Sequence, residues 1–428
     1  MSRRAAIAFL ICTASAMAQG DRRLERWLAG PVRADIRWST RASPPALSRF
    51  QRLTSRFSIR VNGSEIERRR GNTAMLMIVE LRDSAGKSYR TRRIIDLRQP
   101  PYTSSKRLDF TEWNVNAFLI PGDYEMLFAI ADLTSGEHNL AKKKLHVAAL
   151  PGDPLPGAWR DAPPVEFVES TEPPDTWFIP EARARLILPV ISKRRVNVDV
   201  VMNTAVSETS RQVQRRPQQS LGSLIAALKV LSQLDVPEGR LNVALLDVAR
   251  QHGVFAQDSV TGLDWPRLKT ALDSNNPQTI DVGALKGRDQ EVQFFLREIG
   301  GHIAARAGDS ACRVVIVLSP PMAFPQSVDR TPIEPPVDAD YRVFYIRYQT
   351  YSGRPTPTAP IQRPLLGTET SPPPQIDLSP RGGASFPGLP DQLSQTVKPL
   401  HAHVFDVFTP IDFRNAIAAI LREISEIN

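Results

Sequence analysis

The sequence predicts a two-part protein, an all-β sandwich followed by an α/β domain with a mostly parallel sheet. Short strand-like runs separated by turn residues fill the stretch 55–148. A proline-rich stretch at 149–184 has the composition of an extended linker. From 185 to 428, strand-like apolar runs alternate with amphipathic helical runs. That alternation is typical of a doubly wound, Rossmann-like sheet covered by helices on both faces.

The first 18 residues have the features of a signal peptide. "MSRR" is positively charged, "AAIAFLICTASA" is a short apolar run, and Ala16-Met17-Ala18 fits the small-x-small pattern for cleavage. We therefore expect a secreted or periplasmic protein whose mature chain starts near Gln19, with an N-terminal segment at 19–54. Cys12 lies inside this leader, in a setting that favours simple export over lipid attachment.

Charge and composition limit the classes of partner that the protein is expected to bind. The 428 residues carry a net charge of +9, and a leader with Arg3 and Arg4 and no acidic residue accounts for two of those charges. The basic clusters are scattered and lack the interleaved aromatics of a nucleic-acid groove, so we expect no nucleic-acid partner. A basic exported chain is expected to meet a protein or an anionic cell-envelope component. After the leader, no apolar run has the ~18 residues of a transmembrane segment.

Cysteine usage predicts no disulfide framework. The chain has 2 cysteines, and removal of the leader leaves Cys312 alone. Cys312 precedes the apolar run "RVVIVL", so we expect it to be a buried small hydrophobe with no special reactivity.

In the first part, alternation and turn signals predict the strands. "RFSIRVNG" alternates apolar and polar residues with period two, and "AMLMIVELRD" is apolar on both faces like a central strand. The clearest hairpin has a turn at 121–123, a strand at 124–131 and a second turn at 134–136. Several short strands at this spacing indicate a sandwich. The stretch 55–148 resembles an immunoglobulin-like or fibronectin-type module.

In the second part, strands and helices alternate. The expected helices have apolar stripes at helical spacing, as in the run from Leu221 to Leu231, and Thr409-Pro410 predicts the start of the last helix. The expected strands are 196–202, 241–248, 312–318, 342–348 and 403–408. A stretch at 352–390 is rich in Pro, Gly, Ser and Thr, which predicts either a binding lid or a disordered loop.

Two stretches of the second part carry a family resemblance. "VNVDVVMNTAVSE" resembles the first strand and metal-site loop of the von Willebrand factor A domain, where the family has Asp-x-Ser-x-Ser. "LPDQLSQTVKPLHAHVFDVFTPIDFRNAIAAILREI" resembles the end of that domain. The likeness covers 192–427 and is nearest to the bacterial exported proteins often called VWFA-related. It implies the α/β fold named above, with a binding site at the carboxyl end of the strands.

The resemblance also implies a degenerate metal site. The family binds a divalent cation, typically Mg²⁺, through hard oxygen ligands that include carboxylates. Here Asn203 stands at the aspartate position, Ala205 at the first serine position and Pro320 at the later aspartate position, and Ser207 alone matches the family. We therefore expect no metal and no cofactor. The loop is expected instead to contribute to a contact surface, with these candidate members: Asn203, Thr204, Ser207, Thr279 and Ser319.

The expected function is a non-catalytic interaction with a protein or with the cell envelope. It rests on the family resemblance, because a fold by itself does not determine function. The alternative is a metal-independent, hydrolase-like enzyme that uses the crevice at the carboxyl end of the sheet. A deep pocket with clustered polar groups would favour the enzyme, and an exposed apolar patch would favour the binding protein.

Overall fold

The chain folds into several β-sheets with few helices, in an arrangement of more than one domain. The structure is a computed structural model, and it describes residue 27 and residues 36–69, 71, 74–98, 110–168, 183–205, 217–275, 290–304, 310–322, 324, 340–348 and 391–427. Among these described residues, no helix is long and apolar enough to cross a membrane.

From residue 36 onward, the described residues of the first part form nine antiparallel strands and one short helix. In chain order they are β1 Trp38–Ala42, β2 Ala46–Leu47, β3 Leu53–Asn62, α1 Gly63–Arg68, β4 Ala74–Arg82, β5 Ser88–Asp96, β6 Phe110–Leu119, β7 Gly122–Asp132, β8 His138–Val147 and β9 Val165–Val168. One sheet has the order β1-β3-β6-β9, with β2 also paired to β3, and the other has the order β5-β4-β7-β8. The all-β prediction for 55–148 agrees with these pairings, except that the short helix α1 also lies within this stretch.

The period-two pattern explains why these runs form strands. In β3, Phe57, Ile59 and Val61 are fully buried, and the residues between them face outward. From the opposite sheet, Met77 of β4 and Phe128 of β7 enter the same buried cluster. The two sheets therefore face each other across one apolar core.

The structure extends the sandwich beyond the range that the sequence indicated. β1 and β2 lie in the predicted N-terminal segment 19–54, and β9 lies in the predicted linker 149–184. β9 pairs with β6 through Phe118↔Glu166 and Leu119↔Val165, so it continues the sheet. Strands of two to five residues carry too little pattern to be recognised in sequence, and pairing with a neighbouring strand stabilises them.

The second part contains one large sheet and five helices within the described ranges. Its elements are β10 Leu188–Pro189, β11 Val196–Asn203, α2 Pro217–Leu231, β12 Leu234–Asp235, β13 Arg240–Asp247, β14 His252–Gln257, α3 Trp265–Ser274, α4 Glu291–Ile303, β15 Cys312–Ser319, β16 Tyr341–Tyr348, α5 Gln392–Val397, β17 His403–Val407 and α6 Pro410–Ser425. The six-stranded sheet has the order β14-β13-β11-β15-β16-β17. β14 is antiparallel to its neighbour, and the other pairs are parallel.

Helices pack against both faces of this sheet. Val198 and Val200 of β11 share a buried cluster with apolar residues of α2, α3 and α6. Val201 of the same strand points the other way and shares a second cluster with α4 and α5. Because both faces are covered, most residues of the central strands are apolar, and every residue of β11 and β15 is buried.

The predicted burial of Cys312 is confirmed. Cys312 is the first residue of β15, and its side chain is fully buried and forms no disulfide. Burial, with the nearby carboxylate of Asp340, raises the pKa of the thiol to about 11. The thiol is therefore neutral and behaves as a small core side chain.

A fully buried arginine joins the two parts of the chain. Arg414 of α6 has no exposed surface, and its Nε and Nη2 atoms lie 2.6 Å and 2.9 Å from the two carboxylate oxygens of Asp153. Nη2 also donates to the Leu155 carbonyl at 2.8 Å. The guanidinium lies 4.6 Å from the centre of the Trp159 ring. This is the bidentate geometry that makes a buried arginine–carboxylate pair tolerable.

Two further contacts complete this joint. The Trp159 indole donates to the Gln51 carbonyl at 2.7 Å, and the Gln51 amide donates to the Pro410 carbonyl at 2.9 Å. Buried residues of the sandwich and of one face of the large sheet belong to one contiguous apolar cluster. The part of the predicted extended linker, 149–184, that surrounds Trp159 is therefore packed into this interface.

Candidate functional site

The candidate site lies where β11 ends, at the carboxyl end of the large sheet. The strand pairs with β13 on one side and β15 on the other, up to Asn203↔Leu246 and Met202↔Leu318. Side chains that follow the last paired residues of neighbouring parallel strands come together at this edge. The structure brings two of the predicted residues, Asn203 and Ser319, into direct contact there.

The Asn203 amide is fully engaged within the fold. Its oxygen accepts hydrogen bonds from the backbone N–H groups of Ala205, at 3.0 Å, and Val248, at 3.4 Å. Its nitrogen lies 3.0 Å from Ser319 Oγ and 2.7 Å from Met322 Sδ. A backbone N–H can only donate, so the amide oxygen must face these two groups and the nitrogen must face Ser319.

Thr204 and Ser319, two further residues of the predicted contact surface, also point inward. The Thr204 hydroxyl and the Thr204 backbone N–H both donate to the Leu246 carbonyl, at 3.0 Å and 2.8 Å. The Ser319 hydroxyl donates to the Pro320 carbonyl at 2.8 Å. Exposure is 1% for Asn203, 8% for Thr204 and 0% for Ser319. These three side chains therefore stabilise the edge of the sheet from within and are not presented to a partner.

The remaining predicted positions contribute little side-chain chemistry. Ala205 is buried, and Pro320 is partly exposed and has no polar side-chain atom. Ser207 and Thr279 lie outside the described residues. Within the described part of the chain, no group of three or more His, Cys, Asp or Glu side chains is arranged to hold a metal ion.

Sequence reasoning missed the acidic residue of this region, Asp391. Its side chain has no exposed surface, and Oδ1 accepts from the Met322 backbone N–H at 3.1 Å and from the Tyr345 hydroxyl at 3.4 Å. Oδ2 lies 3.5 Å from Nη1 of Arg347, whose Nε pairs with Asp406. The Asp391 carboxylate therefore links Met322, in the segment that follows β15, to Tyr345 and Arg347 of β16.

Tyr345 is held neutral in this network. Complete burial, followed by the charge and hydrogen bond of Asp391, raises the pKa of the Tyr345 hydroxyl well above its usual value. The neutral hydroxyl keeps its proton and can therefore donate a hydrogen bond to the Asp391 carboxylate. The only advance signal for Asp391 was its place one residue before a helix, yet its side chain makes no cap hydrogen bond. It points back to Met322 instead.

Two grooves in the described part of the chain lie away from Asn203. The larger, of about 740 Å³, is formed by the segment after the linker and the amino end of β13, where Arg185, Asp235 and Arg240 line it. The smaller, of about 430 Å³, lies on the sandwich, where Lys142 and Lys144 line it. Neither includes a residue of the predicted carboxyl-end site.

Comparison with known proteins adds two distant structural similarities. No protein-family model and no curated protein matches the chain. Among solved structures, the structural-genomics target SoR45 is 15% identical, covering 28% of this chain and 90% of that one, with a TM-score of 0.17. A structure described as the putative ApaA protein from Bordetella pertussis is 12% identical, covering 28% of this chain and 100% of that one, also with a TM-score of 0.17.

Proposed function

We propose that residues 185–428 form a von Willebrand factor A-like domain without a metal, in an exported protein whose role is non-catalytic interaction. Sheet order supports the fold assignment. Numbered along the chain from β11 and without the short β12, the strands have the order 3-2-1-4-5-6, the order of one common doubly wound sheet. The third strand is the antiparallel edge. The stretch 55–148, with its facing antiparallel sheets, is proposed as an immunoglobulin- or fibronectin-like module.

The observation that carries the metal-free proposal is the orientation of Asn203. A cation would need oxygen lone pairs directed toward it, with carboxylate charge to offset dehydration. At this position the amide oxygen accepts hydrogen bonds from two backbone N–H groups, and the amide N–H donors point toward Ser319. A hydrogen bond from Asn203 thus joins β11 to β15 where a cation would otherwise do so.

An interaction role is supported because the polar groups that a catalytic mechanism would need already form hydrogen bonds or ion pairs within the fold. The Ser319 hydroxyl, which accepts a hydrogen bond from the Asn203 amide, is fully buried and donates a hydrogen bond to the Pro320 carbonyl. The Asp391 carboxylate is held between a backbone N–H, a tyrosine hydroxyl and an arginine. The full chain has a net charge of +9, two of which lie in the predicted leader, and the remaining positive charge makes an acidic protein or an anionic envelope component the complementary partner.

Titration calorimetry with Mg²⁺, Mn²⁺ and Ca²⁺ tests the proposal. The wild-type chain should give no saturable heat at millimolar cation. A triple variant, Asn203→Asp with Ala205→Ser and Pro320→Asp, restores the oxygen ligands of the family pattern and should gain saturable Mg²⁺ binding.

Saturable Mg²⁺ binding by the wild-type chain that Ser207→Ala abolishes would overturn the metal-free proposal. A folded triple variant that still fails to bind any of the three ions would remove the A-type assignment of this edge. Circular dichroism of the triple variant provides the folding control.

A further inference from the structure

The outer face of one sandwich sheet carries a groove that the proposed function does not use. β4 and β7 turn alternate residues inward to the shared core, as with Met77 and Phe128. The residues between them project from the other face of the sheet. One row across that face joins Glu80, Leu127 and Lys142, and the next joins Arg82, Glu125 and Lys144.

This groove is half-open, with a volume of about 430 Å³. Its floor is the apolar side chain of Leu127, which is 7% exposed, and its other lining residues are Glu80, Arg82, Glu125, Met126, Lys142, Lys143 and Lys144. Lysines stand on β8 at one side and an arginine on β4 at the other. These strands are separated by β7 alone, so about 10 Å divides the two basic sides.

The charge that the groove presents is positive. The buried carboxylate of Glu80 is neutralised by Arg90, whose Nε and Nη2 atoms lie 2.9 Å and 2.7 Å from one oxygen. The other Glu80 oxygen lies 3.4 Å from Nη2 of Arg82, whose side chain remains about half exposed to the groove. Lys142 and Lys144 are exposed, and within the described residues neither forms a hydrogen bond or an ion pair. Glu125 is then the single acidic side chain of the lining without a cationic partner among the described residues.

The position of these lysines distinguishes a binding role from protection of a sheet edge. β8 is the last strand of its sheet, and lysines on edge strands prevent pairing with other chains. Lys143 fits that role, because its Nζ atom reaches the Thr40 carbonyl of the opposite sheet at 2.6 Å. Lys142 and Lys144 project from the face of the sheet, where they flank the groove.

We propose that this groove binds an extended acidic peptide segment of a partner protein. Carboxylates of the segment would lie between Lys142, Lys144 and Arg82, and an apolar side chain would rest on Leu127. Charge complementarity favours an acidic occupant, and the apolar floor favours a peptide over a bare polyanion. The inference rests on the proposed interaction role, for which it names the partner class and the surface.

Fluorescence polarisation on the full chain tests the groove. The probes are a labelled peptide of alternating Leu and Glu, the same peptide with Gln in place of Glu, inorganic polyphosphate and phosphatidylglycerol vesicles. The wild-type chain should bind the Leu–Glu peptide, more weakly as salt rises. Lys142→Glu with Lys144→Glu should weaken that binding at least about tenfold. Lys142→Arg with Lys144→Arg should retain it.

The matched control is Lys193→Glu with Lys398→Glu, which makes the same charge change at two exposed positions outside the groove. It should leave peptide affinity within about twofold of wild type, since only general screening changes. Thermal unfolding of each variant confirms that it folds.

Equal affinity of the groove variant and the control for the peptide would overturn the proposal. So would equal binding of the Leu–Gln peptide, or groove-dependent binding of polyphosphate or vesicles in place of the peptide. Failure here leaves the cation results untouched. The reverse holds as well, because Asn203 and the groove belong to different parts of the chain.

Discussion

Asn203 shows how one buried amide can accept and donate hydrogen bonds at the same time. Aspartate at this position would present only acceptors, and its carboxylate would require a cation or buried donors on every side. Asparagine offers an acceptor toward Ala205 and Val248 and a donor toward Ser319. Asparagine has the same side-chain shape as aspartate, and here its amide oxygen and nitrogen both find protein partners in the interior without any ion.

Replacing Asn203 by alanine should destabilise the fold by about 2 kcal/mol. The substitution leaves the buried backbone N–H groups of Ala205 and Val248 without their acceptor, and an unsatisfied buried donor costs about 1–3 kcal/mol. Urea denaturation followed by circular dichroism measures the change. Asn116→Ala is the matched control, because Asn116 is exposed on β6, and it should change stability by less than about 0.5 kcal/mol. Equal losses in the two variants would contradict the role given to Asn203.

At the scale of elements, apolar patterning predicts strands best where both faces are buried. The run "CRVVIVL" corresponds to β15, whose eight residues are all buried between β11 and β16. The predicted helix start at Thr409-Pro410 is confirmed by a capping box, in which Asp412 Oδ2 accepts from the Thr409 backbone at 2.8 Å.

Brief proteolysis of the native protein should distinguish packed elements from segments that are cut readily. We expect the first cuts within 352–390, whose Pro-, Gly- and Ser-rich sequence offers little to bury. The stretch around Trp159 should resist cleavage, because its indole is buried in the joint. Mass spectrometry of the fragments locates the cuts. Early cleavage within Cys312–Ser319 would contradict the burial of β15.

For the whole molecule, the decisive contact is the joint made by Arg414. Arg414→Ala should destabilise the protein by about 3–5 kcal/mol, because it leaves the largely buried carboxylate of Asp153 without its partner. The single unfolding transition expected for the joined parts should also separate into two in calorimetry. Arg422→Ala on the same helix is the control, since Arg422 is exposed, and it should leave one transition at an unchanged temperature.

The same joint should make stability sensitive to acid. Burial alone would raise the pKa of Asp153, but the hydrogen bonds from Arg414 and from the Leu155 N–H, with the charge of Arg414, lower it below its ordinary value. The stabilisation is then fully present above the unfolded pKa of about 3.9 and is lost as pH falls through the lower folded pKa. Arg414→Ala should lose less stability over this range than wild type. Identical acid profiles for the two proteins would contradict the linkage.

Export concerns the chain as a whole and is predicted from its first residues. The positive start, the apolar run and Ala16-Met17-Ala18 lead us to expect a mature protein that begins at Gln19. Intact-mass measurement of the protein recovered from its native envelope or medium checks the start. Retention of Met1, or acylation at Cys12, would show that the prediction is wrong.

The sequence by itself determined the elements whose signal is local. Period-two alternation identified β3, a continuous apolar run identified β15, and the Thr409-Pro410 start identified α6, because each depends on burial or capping within a few residues. Departures from the Asp-x-Ser-x-Ser pattern, read at Asn203 and Ala205, likewise needed only the sequence, and they set the expectation of a metal-free loop.

Tertiary structure alone decided which polar groups meet. Asp391 reaches Met322, and Arg414 reaches Asp153, over separations of 69 and 261 residues. No local pattern records such a pair, because each partner is an ordinary charged residue in its own segment. The inward orientation of Thr204 and Ser319 was equally hidden, since it depends on which carbonyl the neighbouring strand brings within reach. The lysine-flanked groove also arises only when β8 pairs beside β7 and aligns Lys142 and Lys144 with Leu127 and Glu125.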